Sequence, residues 1–226
     1  MDAIATDDWS VEPAGEAMLL LRFGSTLDAA LNARVHAFAD ALRDARLDGI
    51  VDIVPAYASL GIHYDPRAWE DNDGMPWRRL ARALRAHARS APTRRAARAV
   101  QVPVRYGGDD GPDLERVARH AGLEAVEVVR RHAAATYRVA MLGFAPGFPY
   151  LIGLDPALQV ARRAEPRLRV PAGSVAIGGL QTGIYPRELP GGWNLVGRTP
   201  LVLFDARAEP PCLLAPGDDV RFHALP

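Results

Sequence analysis

The apolar residues of the first hundred positions fall into runs whose length and spacing predict strands and helices. Residues 16–23, EAMLLLRF, predict a buried strand, and residues 49–54 and 57–64 predict two more, the last by alternation of apolar and polar positions. Apolar stripes at spacings of three and four residues predict two helices. The stripes consist of Leu27, Leu31, Val35, Phe38 and Leu42, and of Trp77, Leu80, Leu84 and His87.

Residues 100–106 alternate again and predict a fourth strand. The order is then strand, helix, strand, strand, helix, strand, which favours a ferredoxin-like α+β fold (βαββαβ). We therefore expect an N-terminal α+β domain over residues 1–100 and a second domain over residues 101–226.

The second domain begins with helical spacing and continues with many short apolar runs. Asp113 is expected to cap a helix that ends at Gly122, a second helix is predicted for residues 124–134, and a strand for residues 135–142. Frequent turn signals between short strands are typical of a β-barrel or a β-sandwich. Further short strands are predicted at residues 174–178, 181–185, 193–197, 200–204 and 218–223.

Glycine and proline are concentrated between Gly143 and Pro200, which hold ten of the 20 glycines and eight of the 19 prolines. Apolar residues such as Phe144, Ile177 and Trp193 are interleaved with them, so the region has side chains to bury and is not a linker. It is interpreted as short strands joined by fixed turns, and as the functional surface of the molecule.

Composition excludes several kinds of chemistry. All 27 basic residues are arginine, so neither a Schiff-base lysine nor a phosphate-loop lysine is possible, and arginine or backbone N–H groups must hold any anion. The motifs CxxC, HExxH, GxSxG and GxGxxG are absent, and the six histidines show no metal-ligand spacing. No metal site is expected.

Charge and targeting signals give the expected surroundings of the chain. The 27 acidic residues balance the 27 basic ones, which favours neither nucleic acid nor a membrane surface as a partner. The single Cys212 allows no internal disulfide, and the N-terminus MDAIATDDWS lacks the core of a signal peptide. The cytoplasm is the expected compartment.

Three long motifs make the sequence recognisable. MLGFAPGFPYLIGLD (141–155), RLRVPAGSVAIGGLQTGIYP (167–186) and PGGWNLVGRTPLVLFD (190–205) resemble the family of the 5-oxoprolinase B subunits. This family also includes allophanate hydrolase subunit 1 and the Kip-type inhibitors of a sporulation histidine kinase. The resemblance extends into the N-terminal half, for example in GEAMLLLRFG (15–24), and covers nearly the whole chain.

The resemblance implies a small α+β domain followed by a cyclophilin-like β-barrel. It implies that the chain is inactive or nearly so alone, and that it works with two partners, a sister C subunit of 5-oxoprolinase and a lactam-cleaving A subunit. Together these proteins would hydrolyse 5-oxoproline (pyroglutamate) to glutamate, driven by ATP with its Mg²⁺. Two alternatives stay open: a Kip-type inhibitor of a sensor histidine kinase, and a subunit related to allophanate hydrolase or urea carboxylase.

Arg198 and His132 are the candidate catalytic residues. The guanidinium of Arg198 lies between Gly197 and Thr199 in GRTP and can clamp a carboxylate or phosphate through two hydrogen bonds, or else pair with a surface acid such as Asp205. His132 falls on the apolar face of its helix, where it is either a general base at the barrel mouth or a hydrogen-bonded core histidine.

The candidate substrate-binding residues are Gln181, Tyr185, Arg169 and Ser174. Gln181 and Tyr185, in QTGIYP, can orient a planar lactam or can bond the backbone of their own turn. Either Arg167 or Arg169 is expected to point into the same cleft as Arg198, whereas Ser174 is a ligand donor or a plain turn serine. A single cleft is expected to unite these residues.

Overall fold

The computed structural model describes residues 4–5, 9–70, 75–88 and 97–226. The chain divides into two compact units, Met1–Ala96 and Ala97–Pro226. Each unit buries a core of its own, so each is described by itself.

The first unit contains a five-stranded sheet in which neighbouring strands are antiparallel, in the order β1-β2-β3-β5-β4. Leucine, isoleucine and valine from one face of the sheet pack with apolar residues of two helices, which accounts for the predicted stripes. The elements are β1 (Ile4–Ala5), β2 (Ser10–Pro13), β3 (Met18–Arg22), α1 (Ala29–Ala45), β4 (Ile50–Pro55), β5 (Ser59–Tyr64) and α2 (Pro76–Ala88).

Helix α1 begins later than the apolar stripe predicts. The Asp28 carboxylate accepts a hydrogen bond from the Leu31 N–H at 2.7 Å and caps the first turn. Leu27 therefore precedes the helix and is exposed, whereas Val35, Phe38 and Leu42 are buried as predicted.

The second unit is built around a closed barrel of seven strands, so the predicted barrel is confirmed. The order is β10-β11-β8-β7-β14-β6-β13, and β13 pairs with β10 to close it. Strands β9 and β12 form a separate two-stranded sheet. The strands are β6 (Ala99–Tyr106), β7 (Tyr137–Leu142), β8 (Pro149–Ile152), β9 (Arg167–Val170), β10 (Ser174–Gly178), β11 (Gln181–Ile184), β12 (Leu189–Gly191), β13 (Asn194–Arg198) and β14 (Asp219–Ala224).

Two helices complete the barrel core. Helix α3 (Leu114–Ala121) ends at Gly122, whose φ of 65° is the left-handed conformation that glycine adopts without strain, and α4 (Ala125–Ala134) follows directly. Leu114 and Val117 of α3 and Val128 of α4 belong to the same buried cluster as the inward side chains of the barrel strands.

The fourth predicted strand of the N-terminal domain belongs instead to the barrel. Strand β6 pairs in parallel with β14 and antiparallel with β13, and its Val102 and Val104 are buried in the barrel core. The strand expected to close a ferredoxin-like order is therefore not part of the first unit, and that prediction is wrong. Alternation identifies a strand and its buried face, but it does not identify the sheet that the strand joins.

One further strand prediction is wrong. Residues 200–204 follow β13 without regular pairing, except for a single bridge between Phe204 and Cys212. The apolar residue Leu203 is nevertheless buried in the barrel core, so the apolar run there reflects packing without strand geometry.

The pairing of β6 predicts which fragments fold. A fragment of residues 97–226 should unfold cooperatively on heating, as monitored by circular dichroism. A fragment of residues 107–226 should not, because β13 and β14 lose their shared neighbour and the core loses Val102 and Val104, each worth about 1.5–3 kcal/mol of burial. A cooperative transition in the shorter fragment would contradict this placement of β6.

Candidate functional site

The register of strand β10 separates the candidate residues into two groups. Ser174, at the start of β10, lies opposite Arg198 of β13. Gln181 lies opposite Gly178 at the other end of β10, next to the hairpin turn. Four residues of strand span about 13 Å. Gln181 and Arg198 are therefore separated by about the length of β10, and the single cleft expected to unite them stays a prediction.

Arg198 is anchored but only weakly paired. Its Nε donates to the carbonyl oxygen of Ala172 at 2.9 Å, which fixes the guanidinium, and its side chain remains 44% exposed. Its Nη1 lies 3.8 Å from the carboxylate of Asp110, too far for a hydrogen bond. The acid near Arg198 is thus Asp110 and not the expected Asp205. Hydrogens on both terminal nitrogens remain for a ligand.

Tyr185 and Ser174 are buried beneath this end of the barrel. The Tyr185 hydroxyl accepts a hydrogen bond from the backbone N–H of Trp193, and burial raises the pKa of Tyr185. The Tyr185 N–H donates to the Ser174 carbonyl at 2.9 Å, so the two residues hold one another through the backbone. A Cβ atom on Gly191 would collide with the Tyr185 hydroxyl, which explains why that position is glycine. Their role in substrate binding stays a prediction.

Arg169 lies on the open surface of the β9–β12 pair. Its Nε donates to Glu188 at 2.7 Å, and both side chains are mostly solvent-exposed. The hydrogen bond to Glu188, followed by the charge of that carboxylate, raises the pKa of Arg169. An exposed pair of this kind contributes about 0.2–1 kcal/mol and does not orient the guanidinium firmly.

His132 is enclosed in the barrel core. Its Nδ1 lies 2.7 Å from the Tyr106 hydroxyl and its Nε2 lies 3.0 Å from the Thr182 hydroxyl. Thr182 donates its own hydrogen to the Ala176 carbonyl at 3.0 Å, so it can only accept from His132. The imidazole is therefore neutral with its proton on Nε2, and Tyr106 donates to Nδ1.

This network matches the alternative of a hydrogen-bonded core histidine. The ring stacks on Phe222 with centroids 4.7 Å apart, and Tyr137 donates to the His132 carbonyl at 2.9 Å. Burial lowers the pKa of His132 to about 3 from its usual 6.5. The chain of hydrogen bonds ends on the Ala176 carbonyl, which cannot pass a proton onward. These hydrogen bonds therefore hold the imidazole in one orientation.

Asp113 forms the strongest polar cluster of the barrel unit, and sequence reasoning assigned it to helix capping. It occupies the N-cap position of α3, but its side chain makes no capping bond. Instead its carboxylate, 4% exposed, accepts from the N–H of Leu195, from two nitrogens of Arg167 and from Arg163, all at 2.8–2.9 Å. No local sequence pattern points to these contacts, because the two arginines lie fifty or more residues after Asp113 in an irregular segment.

The protonation state of Asp113 follows from these contacts. Burial alone raises the pKa of Asp113, but the hydrogen bonds from Arg167 and Leu195 and the charges of Arg167 and Arg163 outweigh it, and the net pKa is lowered. The carboxylate is therefore ionised at neutral pH and binds both guanidinium groups as charge-assisted pairs.

An aromatic cluster covers the outer face of the barrel beside these residues. Val175 and Ile177 of β10 point into the barrel core, so Ala176, which belongs to the aromatic cluster, points outward. Phe148 is the centre of the cluster, and its ring contacts four aromatic rings at centroid distances of 4.9–5.8 Å. These rings belong to Phe144, Tyr150, Tyr185 and Trp193.

Phe144 is the exposed and strained member of the cluster. Its φ of 67° lies in the left-handed region, which a bulky residue rarely adopts, and its side chain is 59% exposed. Strain of this kind persists where the surrounding structure imposes it and is concentrated at functional surfaces. Phe144 therefore adds an accessible aromatic ring to the Gly/Pro-rich region.

The described side chains and helices bear on metal binding and on membrane insertion. Within the described ranges, no three histidine, cysteine, aspartate or glutamate side chains come together in a way that could hold a metal ion. No helix in the part of the chain that the structure describes is long and apolar enough to cross a bilayer.

Comparison with known proteins gives the family. Residues 9–214 match the family described as carboxyltransferase domain, subdomain C and D, and the chain belongs to this family. It is 40% identical to the B subunit of 5-oxoprolinase from Bacillus subtilis (strain 168), over 95% of this chain and 92% of that protein. It is 41% identical to the B subunit of 5-oxoprolinase from Escherichia coli O157:H7, over 92% of both chains. The resemblance stated from the three motifs is therefore confirmed.

A solved structure gives the same picture of the fold. The crystal structure of TTHA0988 superposes with a TM-score of 0.80 at 44% identity, over 92% of this chain. This chain corresponds to 40% of the length of that longer chain.

The buried histidine predicts a pH dependence of stability. The unfolded chain takes up a proton on His132 below pH 6.5, whereas the folded chain does so only near pH 3, so the free energy of unfolding should fall as the pH falls through this window. The expected slope approaches about 1.4 kcal/mol per pH unit below pH 6. Urea unfolding between pH 7.5 and pH 5 measures it.

A His132→Gln variant is the control. It should be less stable at every pH, and the part of the slope that belongs to His132 should disappear. In the unmodified protein, NMR signals of the imidazole should show the Nε2–H form and no titration down to pH 5. Titration of this ring near pH 6.5 in the folded protein would show that the network does not exclude the charged form.

Proposed function

We propose that this chain is the B subunit of an ATP-dependent 5-oxoprolinase that hydrolyses 5-oxoproline to glutamate. The observation that carries the proposal is the identity of 40–41% to two proteins named as B subunits of 5-oxoprolinase, over nearly the full length of each. The finer assignments made from the motifs belong to the same proposal. They are a cyclophilin-like type of barrel, a cytoplasmic location, a sister C subunit and a lactam-cleaving A subunit.

The chemistry available in this chain supports a role as part of a larger enzyme. Opening a lactam requires an electrophilic carbonyl, which ATP can create by phosphorylating the carbonyl oxygen. The chain has no lysine, and His132, its candidate base, is buried and neutral. Arginines of this chain could bind phosphate or carboxylate, and the Mg²⁺ that accompanies ATP would be held largely by its phosphates.

Arg198 is the residue proposed to contact the substrate or the nucleotide. Its guanidinium is held by the Ala172 carbonyl and is nearly 4 Å from its acid, so a bound carboxylate or phosphate could take both terminal nitrogens. Gln181, Tyr185, Ser174 and Arg169 remain proposed ligand contacts, although Gln181 lies about 13 Å along the barrel from Ser174 and Arg198. A site shared with another protein of the complex accommodates that separation.

Carboxyl transfer is the second candidate function. The family to which the chain belongs is described as a carboxyltransferase domain, which favours a part in transferring a carboxyl group, as in the urea-degrading relatives implied by the motifs. ATP turnover that depends on urea, and not on 5-oxoproline, would favour this candidate. The Kip-type alternative predicts instead a stable complex with a sensor histidine kinase.

Reconstitution tests the proposed function. The chain alone should release no glutamate from 5-oxoproline and ATP, whereas the mixture with the A and C subunits should do so. Arg198→Lys should lower kcat/KM of the mixture about 10- to 100-fold, because lysine cannot make the two-bond contact. Arg187→Gln, at an exposed arginine of the same region, should leave it unchanged. No glutamate from the complete mixture would overturn the proposal.

Phe144 tests the assembly part of the proposal. Phe144→Gly should leave the isolated chain about as stable, because glycine relieves the left-handed strain while the ring contacts are lost. It should weaken binding to the sister protein about 10-fold, as expected for the loss of an interface aromatic ring. Phe144→Ala is the matched control, since it loses the ring and keeps the strain. Both effects are read from melting temperatures and from titration calorimetry.

The two Phe144 variants separate an interface role from a folding role. Equal weakening of the complex by both, with glycine the more stable variant, supports an interface ring. Unchanged affinity in both variants would show that Phe144 is not part of the interface.

A further inference from the structure

A short surface segment of the barrel unit holds three arginines in fixed positions. The arginine segment, residues 160–167, contains Arg162, Arg163 and Arg167. Its two sides are tied to neighbouring strands by backbone bonds: the Val160 carbonyl accepts from Gly179 at 2.8 Å, and the Arg163 N–H donates to the Gly192 carbonyl at 2.7 Å. The segment is therefore preorganised, and little entropy remains to be lost when a ligand binds.

Side chains complete the attachment of the segment. The amide of Asn194 is buried and donates to the Ala161 carbonyl at 3.0 Å and to the Ile177 carbonyl at 3.1 Å, which joins the segment to β10 and β13. Arg162 lies over the ring of Trp193, with its guanidinium carbon 5.6 Å from the ring centroid. Each arginine of the segment is thus held by a contact within the protein. Arg162 lies on the ring of Trp193, and Arg163 and Arg167 bind the carboxylate of Asp113.

The positive charge of the segment exceeds the negative charge that meets it. Arg163 and Arg167 share the single carboxylate of Asp113, and Arg162 rests on an aromatic ring, so three guanidinium groups face one acid. Glu165 lies in the same segment, is exposed, and pairs with none of the three arginines within the part of the chain that is described. With Asp113 and Glu165 set against the three arginines, one positive charge is left over at this place.

The arginines also retain unused hydrogen-bond donors. The side chains of Arg163 and Arg167 are 28% and 24% exposed, and Asp113 takes up one nitrogen of the first and two of the second. The Nε of Arg163 is buried without an acceptor, so its guanidinium is only partly compensated by Asp113. An incoming anion would offset the excess charge and accept hydrogen bonds from the solvent-exposed parts of these two side chains, while the buried Nε of Arg163 stays out of its reach.

We propose that the arginine segment, held by Asp113, is an oxyanion-binding site for a carboxylate or a phosphate group. Asp113 acts as a positioning residue, because it orients the two guanidinium groups without touching the ligand. The inference rests on the proposed function only for the origin of the oxyanion, which would be the carboxylate of 5-oxoproline or glutamate, or a phosphate of the nucleotide. It adds a binding site to the one proposed for Arg198: in the loop 107–113, Asp110 lies near Arg198, whereas Asp113 holds the arginine segment.

Binding to the isolated chain tests the site. Sodium phosphate, pyrophosphate, L-5-oxoproline and L-glutamate are titrated in turn, by calorimetry, against chloride at equal ionic strength. We expect saturable binding of at least one anion, and its identity separates the phosphate source from the carboxylate source. Arg163→Gln and Arg167→Gln should each weaken binding about 10-fold or more, whereas Arg187→Gln should not change it.

Two further measurements guard against unfolding of the variants. Arg167→Lys keeps the charge and loses the two-bond contact with Asp113, so it should fold and bind several-fold more weakly. In the unmodified chain, the ¹⁵Nε–¹H signal of Arg163 should shift on saturation with the anion. Absence of saturable binding by all four anions, or wild-type affinity in Arg163→Gln and Arg167→Lys, would overturn the site. An active complex built from a chain that binds no oxyanion would overturn the site and leave the proposed function standing.

Discussion

The buried carboxylate of Asp113 holds together the parts of the barrel unit that bear on function. It joins the loop 107–113, strand β13 through the Leu195 N–H, and the arginine segment through Arg163 and Arg167. Removing one partner of such a buried pair costs about 3–5 kcal/mol, because the remaining charge is left in an apolar place. The positions of Arg163 and Arg167 therefore depend on the folded barrel, which holds Asp113 in place.

Because the chain has no lysine, all of its basic side chains are arginines, and this determines how the cluster can bind anions. Every cation of the chain is a planar guanidinium with five donors in a fixed fork, so an arginine can hold an acid on one side and still offer hydrogens on another. Arg167 uses two nitrogens for Asp113, whereas Arg198 uses its Nε for a backbone carbonyl. A lysine in either place would carry its three donors on one atom, and these cannot reach an anchor and a ligand on two separate edges as a guanidinium can. Arginine therefore allows structural and binding roles in one side chain.

Local patterns in the sequence predicted the positions of strands and helices better than they predicted which strands pair with one another. The alternation of Val100, Val102 and Val104 correctly identified a strand, but its neighbour β14 lies more than a hundred residues away, and nothing in the alternation encodes that pairing. Asp113 was placed correctly at a helix start, while the role of its side chain depended on arginines fifty residues further on. The sequence indicated which residues could form a site. The distances between those residues became known only from the pairing register of the barrel strands.

The distribution of strain and exposure argues for a surface that another protein completes. Phe144 keeps an unfavourable backbone conformation and exposes its ring, although the chain could relieve both by glycine at that position. Arg198 and the arginine segment likewise carry charge that this chain does not neutralise, while the buried His132 has both ring nitrogens satisfied. The buried histidine is thus fully hydrogen-bonded, whereas exposed arginines near the barrel surface keep donors that this chain does not use. Since an isolated protein gains nothing from such a face, its retention is understandable if ligands and a partner protein bind there.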